Sequence, residues 1–463
     1  MSPSTQPSSS STPQTSALPR ILRLRDLTLL VIAGVIGSGI FLTPGLILKT
    51  VGGSVGVAAL VWLTGGVLAL LGALSYGELA VMKPQAGGLY VYIRDGFGSL
   101  PAFAYGWALF LAIASGEIAA LSAAFATYLG AILPISPLGA RFVEIAMIAV
   151  VTGLNVWGTR RSADVVNVTT LIKAGLVVVV SVILLALGRG YSSGVVYFPE
   201  HLSASTASQF GVAMIIVLWA YEGWHFATYN AGEAANPQKD FPRALVGGVV
   251  FLVFLYLLAN AGYLAALGPV RAAQSQTIAS DAFSAVLGPS AAKLIALVIL
   301  VSVFSAANSV ALTAPRVLYA MAEDGVFFKR LARVHPRFQT PATAVTVLGI
   351  WSAILANVGT FQSLIRYAIF VAWIFYGLGA ASVIALRIKE PNTSRPYRVP
   401  LYPWPPLLFS LAAAMLVLNE IVSEPRNAAI GIALVLPAVP CYLLWRKLAA
   451  KPASMRDSGS EHD

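Results

Sequence analysis

One cysteine, Cys441, stands in a chain of 463 residues. A lone thiol excludes an intrachain disulfide and any cysteine-ligated metal cluster. The four histidines, His201, His225, His335 and His462, are scattered and show no metal-ligand spacing. No metal, cofactor or catalytic residue is therefore expected. Charge is also scarce: Asp, Glu, Lys and Arg make up 11% of the chain, against about 25% in a soluble globule. That excludes an ordinary water-soluble domain. Residues 1–19 lack an apolar core and are rich in Ser, Thr, Pro and Gln. They predict a disordered tail and not a signal peptide, and residues 451–463 predict a second tail.

What is abundant is hydrocarbon. The chain is 57% hydrophobic, with a mean hydropathy of +0.78. Twelve apolar segments, each long enough for a ~30 Å hydrocarbon core, fall at about 27–49, 55–82, 99–131, 139–157, 165–188, 209–231, 242–267, 290–320, 341–358, 361–387, 403–422 and 427–447. They predict an all-α membrane protein with twelve transmembrane helices between residues 20 and 450. Only Gly359 and Thr360 divide the ninth segment from the tenth.

The net charge of +11 invites a nucleic-acid reading, but its distribution is that of a topology signal. With the N-terminus cytoplasmic, 22 of the 30 Lys and Arg residues fall on inside segments and 6 on outside ones. The positive-inside rule then puts both termini in the cytoplasm. The partner of the basic flanks is the lipid bilayer, and no nucleic acid is expected.

Two segments are broken. Gly34, Gly37, Ser38 and Gly39 interrupt the first, and each glycine costs about 1 kcal/mol relative to alanine in a helix. Leu218-Trp219-Ala220-Tyr221-Glu222-Gly223-Trp224-His225 puts a carboxylate, a glycine and a histidine into the sixth. Irregular backbone survives at membrane depth only beside a cavity or other protein. The same glycines also suit a close helix-packing face. What favours a site is the pairing: counted in helices, segments 1 and 6 are equivalent members of two five-helix halves, about 25–188 and 209–388, followed by two further helices at about 403–447. Five spans reverse direction, so the halves are inverted in the membrane.

The chemistry of such a site can be written down. Free N–H groups of Gly37, Ser38 and Gly39, at the positive end of the next half-helix, suit a carboxylate. Unwound carbonyls near Trp219, Ala220 and Tyr221 suit an ammonium group. Together they describe a zwitterionic α-amino acid, recognised without a charged side chain in the first segment.

Further motifs lie in order along the chain: Ser75-Tyr76-Gly77-Glu78-Leu79, Pro84-Gln85-Ala86-Gly87-Gly88-Leu89-Tyr90, Gly232-Glu233, Asn236-Pro237, Phe241-Pro242-Arg243-Ala244 and Pro315 to Gly325. With the two breaks they resemble the amino acid–polyamine–organocation superfamily, nearest its L-amino acid transporter branch and of bacterial stand-alone type. The resemblance covers nearly everything between the tails. It implies the LeuT-type fold, a 5+5 inverted repeat plus two C-terminal helices, with helices 1 and 6 unwound mid-membrane. It implies alternating-access amino acid transport rather than an enzyme.

Carried over by position, Ile36, Gly37, Ser38 and Gly39 with Trp219, Ala220, Tyr221 and Glu222 would bind substrate. Trp219 would be the aromatic lid, and Trp373 falls near a gating aromatic of the family; a core aromatic is the other reading of both. Lys173 matches the helix 5 lysine that replaces sodium in sodium-independent members and bridges helix 1 to helix 8, near Ser302 to Asn308. It also fits a lysine snorkelling to the interface. Glu117 and Glu222 depart from the family, whose close members carry a small residue at the first and glycine or aspartate at the second. Glu117 fits a reader of cationic side chains, a proton carrier, or a structural partner of Arg366. Heteromeric relatives use a cysteine between helices 3 and 4 for a disulfide to a glycoprotein. The loop 132–139 has none, so no disulfide-linked subunit is expected.

The expectation is a plasma-membrane carrier exchanging L-amino acids without sodium. Proton-coupled symport is the alternative within that class, and an amino acid sensor or membrane-embedded enzyme the alternative outside it.

Overall fold

Residues 18–190, 195–201, 203–358 and 361–449 are described by a computed structural model. The two tail expectations and the divide at Gly359 and Thr360 lie largely outside them, as do the side chains of residues 361–369, including Arg366.

Helices account for nearly all of the fold. They are α1 Leu24–Val35, α2 Gly39–Thr50, α3 Val55–Met82, α4 Leu89–Phe97, α5 Ser99–Ala108, α6 Ala114–Gly130, α7 Pro137–Val156, α8 Thr159–Leu187 and α9 Ala204–Ala220. The remainder are α10 Pro237–Gln274, α11 Ile278–Leu287, α12 Ala291–Thr313, α13 Pro315–Glu323, α14 Ala342–Val358, α15 Phe361–Lys389, α16 Trp404–Ser423, α17 Pro425–Val435 and α18 Ala438–Ala449. No strand occurs among the described residues; the nearest thing is a single parallel bridge between Leu22 and Ala234. Ten helical stretches are long and apolar enough to cross a membrane, and α1 with α2, bent by 46° at their break, make an eleventh. The chain is a multi-pass membrane protein.

Local chemistry explains where the helices stop. Gly37, Ser38 and Gly39 end α1 and reopen as α2, as expected from their poor helix propensity. The sixth segment stops at Ala220, turns through Gly223 at φ +106°, and continues as a 3-10 turn over Trp224–Glu233. Between α5 and α6 lies a π turn, Leu109–Ile113, a feature frequent at functional sites and without a signal in the 99–131 apolar run. Beyond α13 the chain makes a 3-10 turn, Lys329–Ala332. Gly325 at φ +71° stops α13, and the Phe327 ring leaves the helical path to stack on Trp445, centroids 5.5 Å apart.

Packing places the two breaks at the centre. The first lies among α8, α10 and α12. The chain entering α1 is tied to the segment beyond the second break, because Ile21 N and Leu22 N both donate to the Glu233 carbonyl at 2.9 Å.

Candidate functional site

The two interruptions touch through bare backbone. A Cβ placed on Gly34 would sit 2.6 Å from the Gly223 carbonyl oxygen, and one on Gly39 would sit 3.0 Å from the Ala220 Cα. Only glycine permits that approach. Tyr256 of α10 secures it from the side: its hydroxyl lies 2.9 Å from the Val35 carbonyl oxygen and 3.1 Å from that of Ala220.

Beside this contact is a cavity of about 60 Å³, room for more than one water. Gly37, Ser38 and Gly39 line it from the first break, and Trp219, Ala220 and Glu222 from the second. The α6 helix adds Glu117 and Ala120, the π turn adds Ile113, and α12 adds Ala306.

The first break presents donors. Gly39 opens α2, whose first N–H groups have no intrahelical acceptor. The N–H groups of Ser38 and Gly39 bond to no acceptor among the described residues. Gly37 differs from expectation: its N–H is engaged, donating to the Val35 carbonyl at 2.8 Å. The second break presents acceptors. The Trp219 carbonyl lies at the end of α9 and accepts from Glu222 N at 3.2 Å, with the Tyr221 N–H also directed at it. Glu222 is held by the Tyr376 hydroxyl, which donates to its Oε1 at 2.7 Å. Glu117 faces the same cavity, half-buried.

Lys173 is fully buried on α8. Its Nζ donates to the carbonyls of Ala33 at 2.9 Å and Ile36 at 2.6 Å. Ser302 of α12 donates to the same Ile36 carbonyl at 2.9 Å and lies 3.1 Å from that of Gly37. The carbonyls released by the break are thus claimed by a cation and a hydroxyl on two packed helices. The reach toward Ser302–Asn308 runs through the shared Ile36 acceptor and not through a direct bond.

Three expected residues stand apart from the cavity. Ile36 contributes only its engaged carbonyl. Tyr221 turns its ring toward Tyr256 and Trp62, at 5.1 and 5.9 Å between centroids. Trp373 lies one ring away, 5.8 Å from Tyr376. Tyr376 is the α15 residue that bonds Glu222, with Trp373 one helical turn before it and its ring packed edge-on. Tyr256 and Tyr376 carry no signal in the sequence, since a hydroxyl in an apolar run does not reveal its partner, whereas Ser302 opens the α12 stretch expected near Lys173.

A second polar cluster sits beyond the 3-10 turn. Arg316 Nε and Nη2 donate to Glu233 Oε2 and Oε1 at 2.8 and 2.9 Å. Nη2 lies 2.8 Å from Thr159 Oγ1 at the start of α8, and Asn230 Nδ2 donates to Glu233 Oε2 at 2.5 Å. Arg316 and Glu233 are both fully buried. Among the described residues no group of three His, Cys, Asp or Glu is placed to hold a metal ion.

The amino acid permease family model matches residues 22–437. The chain is 30% identical to the human b(0,+)-type amino acid transporter 1 over 458 residues, covering 96% of this chain and 93% of the relative. It is 30% identical to the serine/threonine exchanger SteT of Bacillus subtilis (strain 168) over 425 residues, 91% of this chain and 95% of the relative. It is 29% identical to the rat large neutral amino acids transporter small subunit 2 over 438 residues, 92% and 81% of the two chains.

Proposed function

We propose a function from one premise: this chain belongs to the amino acid permease family. It is a transporter, not an enzyme, and it carries L-amino acids across the plasma membrane by alternating access. Twelve spans form two inverted five-helix repeats and two further helices, in a LeuT-type arrangement with both termini cytoplasmic. Transport is exchange of one amino acid for another, independent of sodium and of any disulfide-linked subunit.

The observation that carries this reading is the meeting of the two breaks at one cavity. The free N–H groups of Ser38 and Gly39, with the positive end of α2 behind them, take the substrate carboxylate. The carbonyl end of α9 at Trp219 and Tyr221 takes the amine, Trp219 covers it, and Glu222 borders it. Lys173 holds the carbonyls that the break frees, the task a sodium ion would otherwise perform. Without this donor two buried carbonyls lose a charge-assisted bond, each at about 1–3 kcal/mol.

Reconstituted vesicles test the reading. Uptake of radiolabelled amino acid should require substrate inside and be unchanged when choline replaces sodium. Lys173→Ala should lower the rate by about tenfold or more. Uptake that needs sodium, or binding with no flux, would overturn it.

One observation favours proton coupling as the second reading: Glu117 and Glu222 face one cavity, and among the described residues of its lining no side chain is basic. Under coupling, Glu117→Gln should abolish the dependence of uptake on an acid exterior while leaving exchange at neutral pH. Under pure exchange it should change only which side chains are accepted, cationic ones losing most.

A further inference from the structure

A recess at the start of α1 is lined by Arg20 and Arg23 from the chain entering that helix, by Arg25 from its first turn and by Arg160 from the first turn of α8, enclosing about 710 Å³. Its one lining carboxylate, Asp26, is already committed. It accepts from Arg160 Nη1 at 3.0 Å, from Asn167 Nδ2 at 2.6 Å and from Arg23 N at 2.9 Å. Arg160 also pairs with Asp164 at 2.7 Å. Arg20, Arg23 and Arg25 are exposed, and among the described residues no carboxylate pairs with any of them. Four guanidiniums around one satisfied carboxylate make a site for a phosphate-sized anion. Residues 1–19 hold no Asp or Glu, so the preceding chain brings no carboxylate to fill it.

What chooses among anions is the surface above the recess. Val168, Leu171, Val179 and Val182 are 57%, 58%, 53% and 51% exposed on α8. At 100° per residue they fall within about a quarter turn of Arg160, forming one stripe. Gly175 between them has open space around it. The arginine recess therefore opens onto an apolar track along a membrane-spanning helix. A soluble phosphate uses only the arginines, whereas a phospholipid uses both surfaces. We propose that the recess binds the headgroup of an anionic phospholipid, whose acyl chain lies along the outer stripe of α8. The headgroup then bridges α1 and the segment before it to α8, reinforcing the tie between α1 and α8 that Asp26 and Arg160 already make.

The test is lipid titration of the full-length, detergent-solubilised chain, read by native mass spectrometry. Dioleoylphosphatidylglycerol should bind more tightly than dioleoylphosphatidylcholine. Arg20→Gln/Arg25→Gln should weaken the phosphatidylglycerol complex roughly 30-fold, at about 1 kcal/mol per arginine, with the melting temperature in detergent unchanged. Leu171→Ser should weaken it too. Three results would overturn the proposal. One is unaltered phosphatidylglycerol affinity in the double arginine variant. Another is displacement of the lipid by inorganic phosphate at comparable concentration, which would make the ligand a soluble anion. The third is a tenfold gain in lipid affinity on removing residues 451–463, which would make the acidic tail with Asp457, Glu461 and Asp463 the occupant.

Discussion

A Gly223→Ala chain is expected to lose amino acid exchange by about a hundredfold, although the change adds only one methyl group. Two costs combine. At φ +106° an L-residue is in left-handed territory, at roughly 1–2 kcal/mol. The added Cβ would also lie 2.5 Å from the Gly34 carbonyl oxygen and 2.6 Å from its carbon. Neither atom belongs to a rotatable side chain, so relief requires the two breaks to part, and overpacking of that kind costs about 1–3 kcal/mol. Parting the breaks opens the cavity between the Ser38 and Gly39 donors and the α9 carbonyls, so the cost falls on substrate positioning as well as on stability. Gly34→Ala attacks the same contact from the other side and should behave alike. The control is Gly247→Ala on α10, where nothing lies within 4 Å of the added carbon. There the helix gains up to about 1 kcal/mol of propensity and transport should not fall. Vesicle exchange and melting temperature, measured on all three, decide the matter. Normal exchange by Gly223→Ala would mean that the breaks are not in contact in the working protein.

That contact was half legible beforehand. Glycine density marks a helix break because the penalty is local to the residue, and a lysine or carboxylate within an apolar run marks itself by its cost in hydrocarbon. Gly37 to Gly39, Lys173, Glu117 and Glu222 therefore stand out without a structure. Which face of a helix a residue occupies is a different kind of fact. Trp373 and Tyr376 share α15, and the spacing does not say which one reaches Glu222. Tyr256 is one tyrosine among 17, and only the crossing of α10 over both breaks gives its hydroxyl two carbonyls to meet. The engaged N–H of Gly37 is equally unreadable, since it depends on how tightly the chain turns after Val35. The π turn before Ala114 has no marker at all, because one extra residue in a helical turn leaves hydropathy unchanged.

Breaking the Glu233–Arg316 pair is the other large effect, and it lies away from the cavity. Both side chains are fully buried. Glu233→Gln keeps the shape and most hydrogen bonds but leaves the Arg316 guanidinium without a counter-charge, which costs about 3–5 kcal/mol. Arg316→Met strands the Glu233 carboxylate and should cost as much. The ion pair is not itself the source of stability, because desolvation consumes most of its attraction. The double variant Glu233→Leu/Arg316→Met should therefore recover most of the melting temperature lost by either single change, a non-additivity of several kcal/mol. Transport gives the independent reading. Glu233 closes the 3-10 turn after the second break, while Arg316 and Thr159 belong to α13 and α8, so the pair ties the chain beyond the second break to those two helices. If the tie must open and close in each cycle, the stable double variant should still exchange at an altered rate, with its resting state shifted toward the side on which the tie lies. Full recovery of both stability and exchange would reduce the pair to a structural bond, and a loss below about 1 kcal/mol in the single variants would mean that water reaches it.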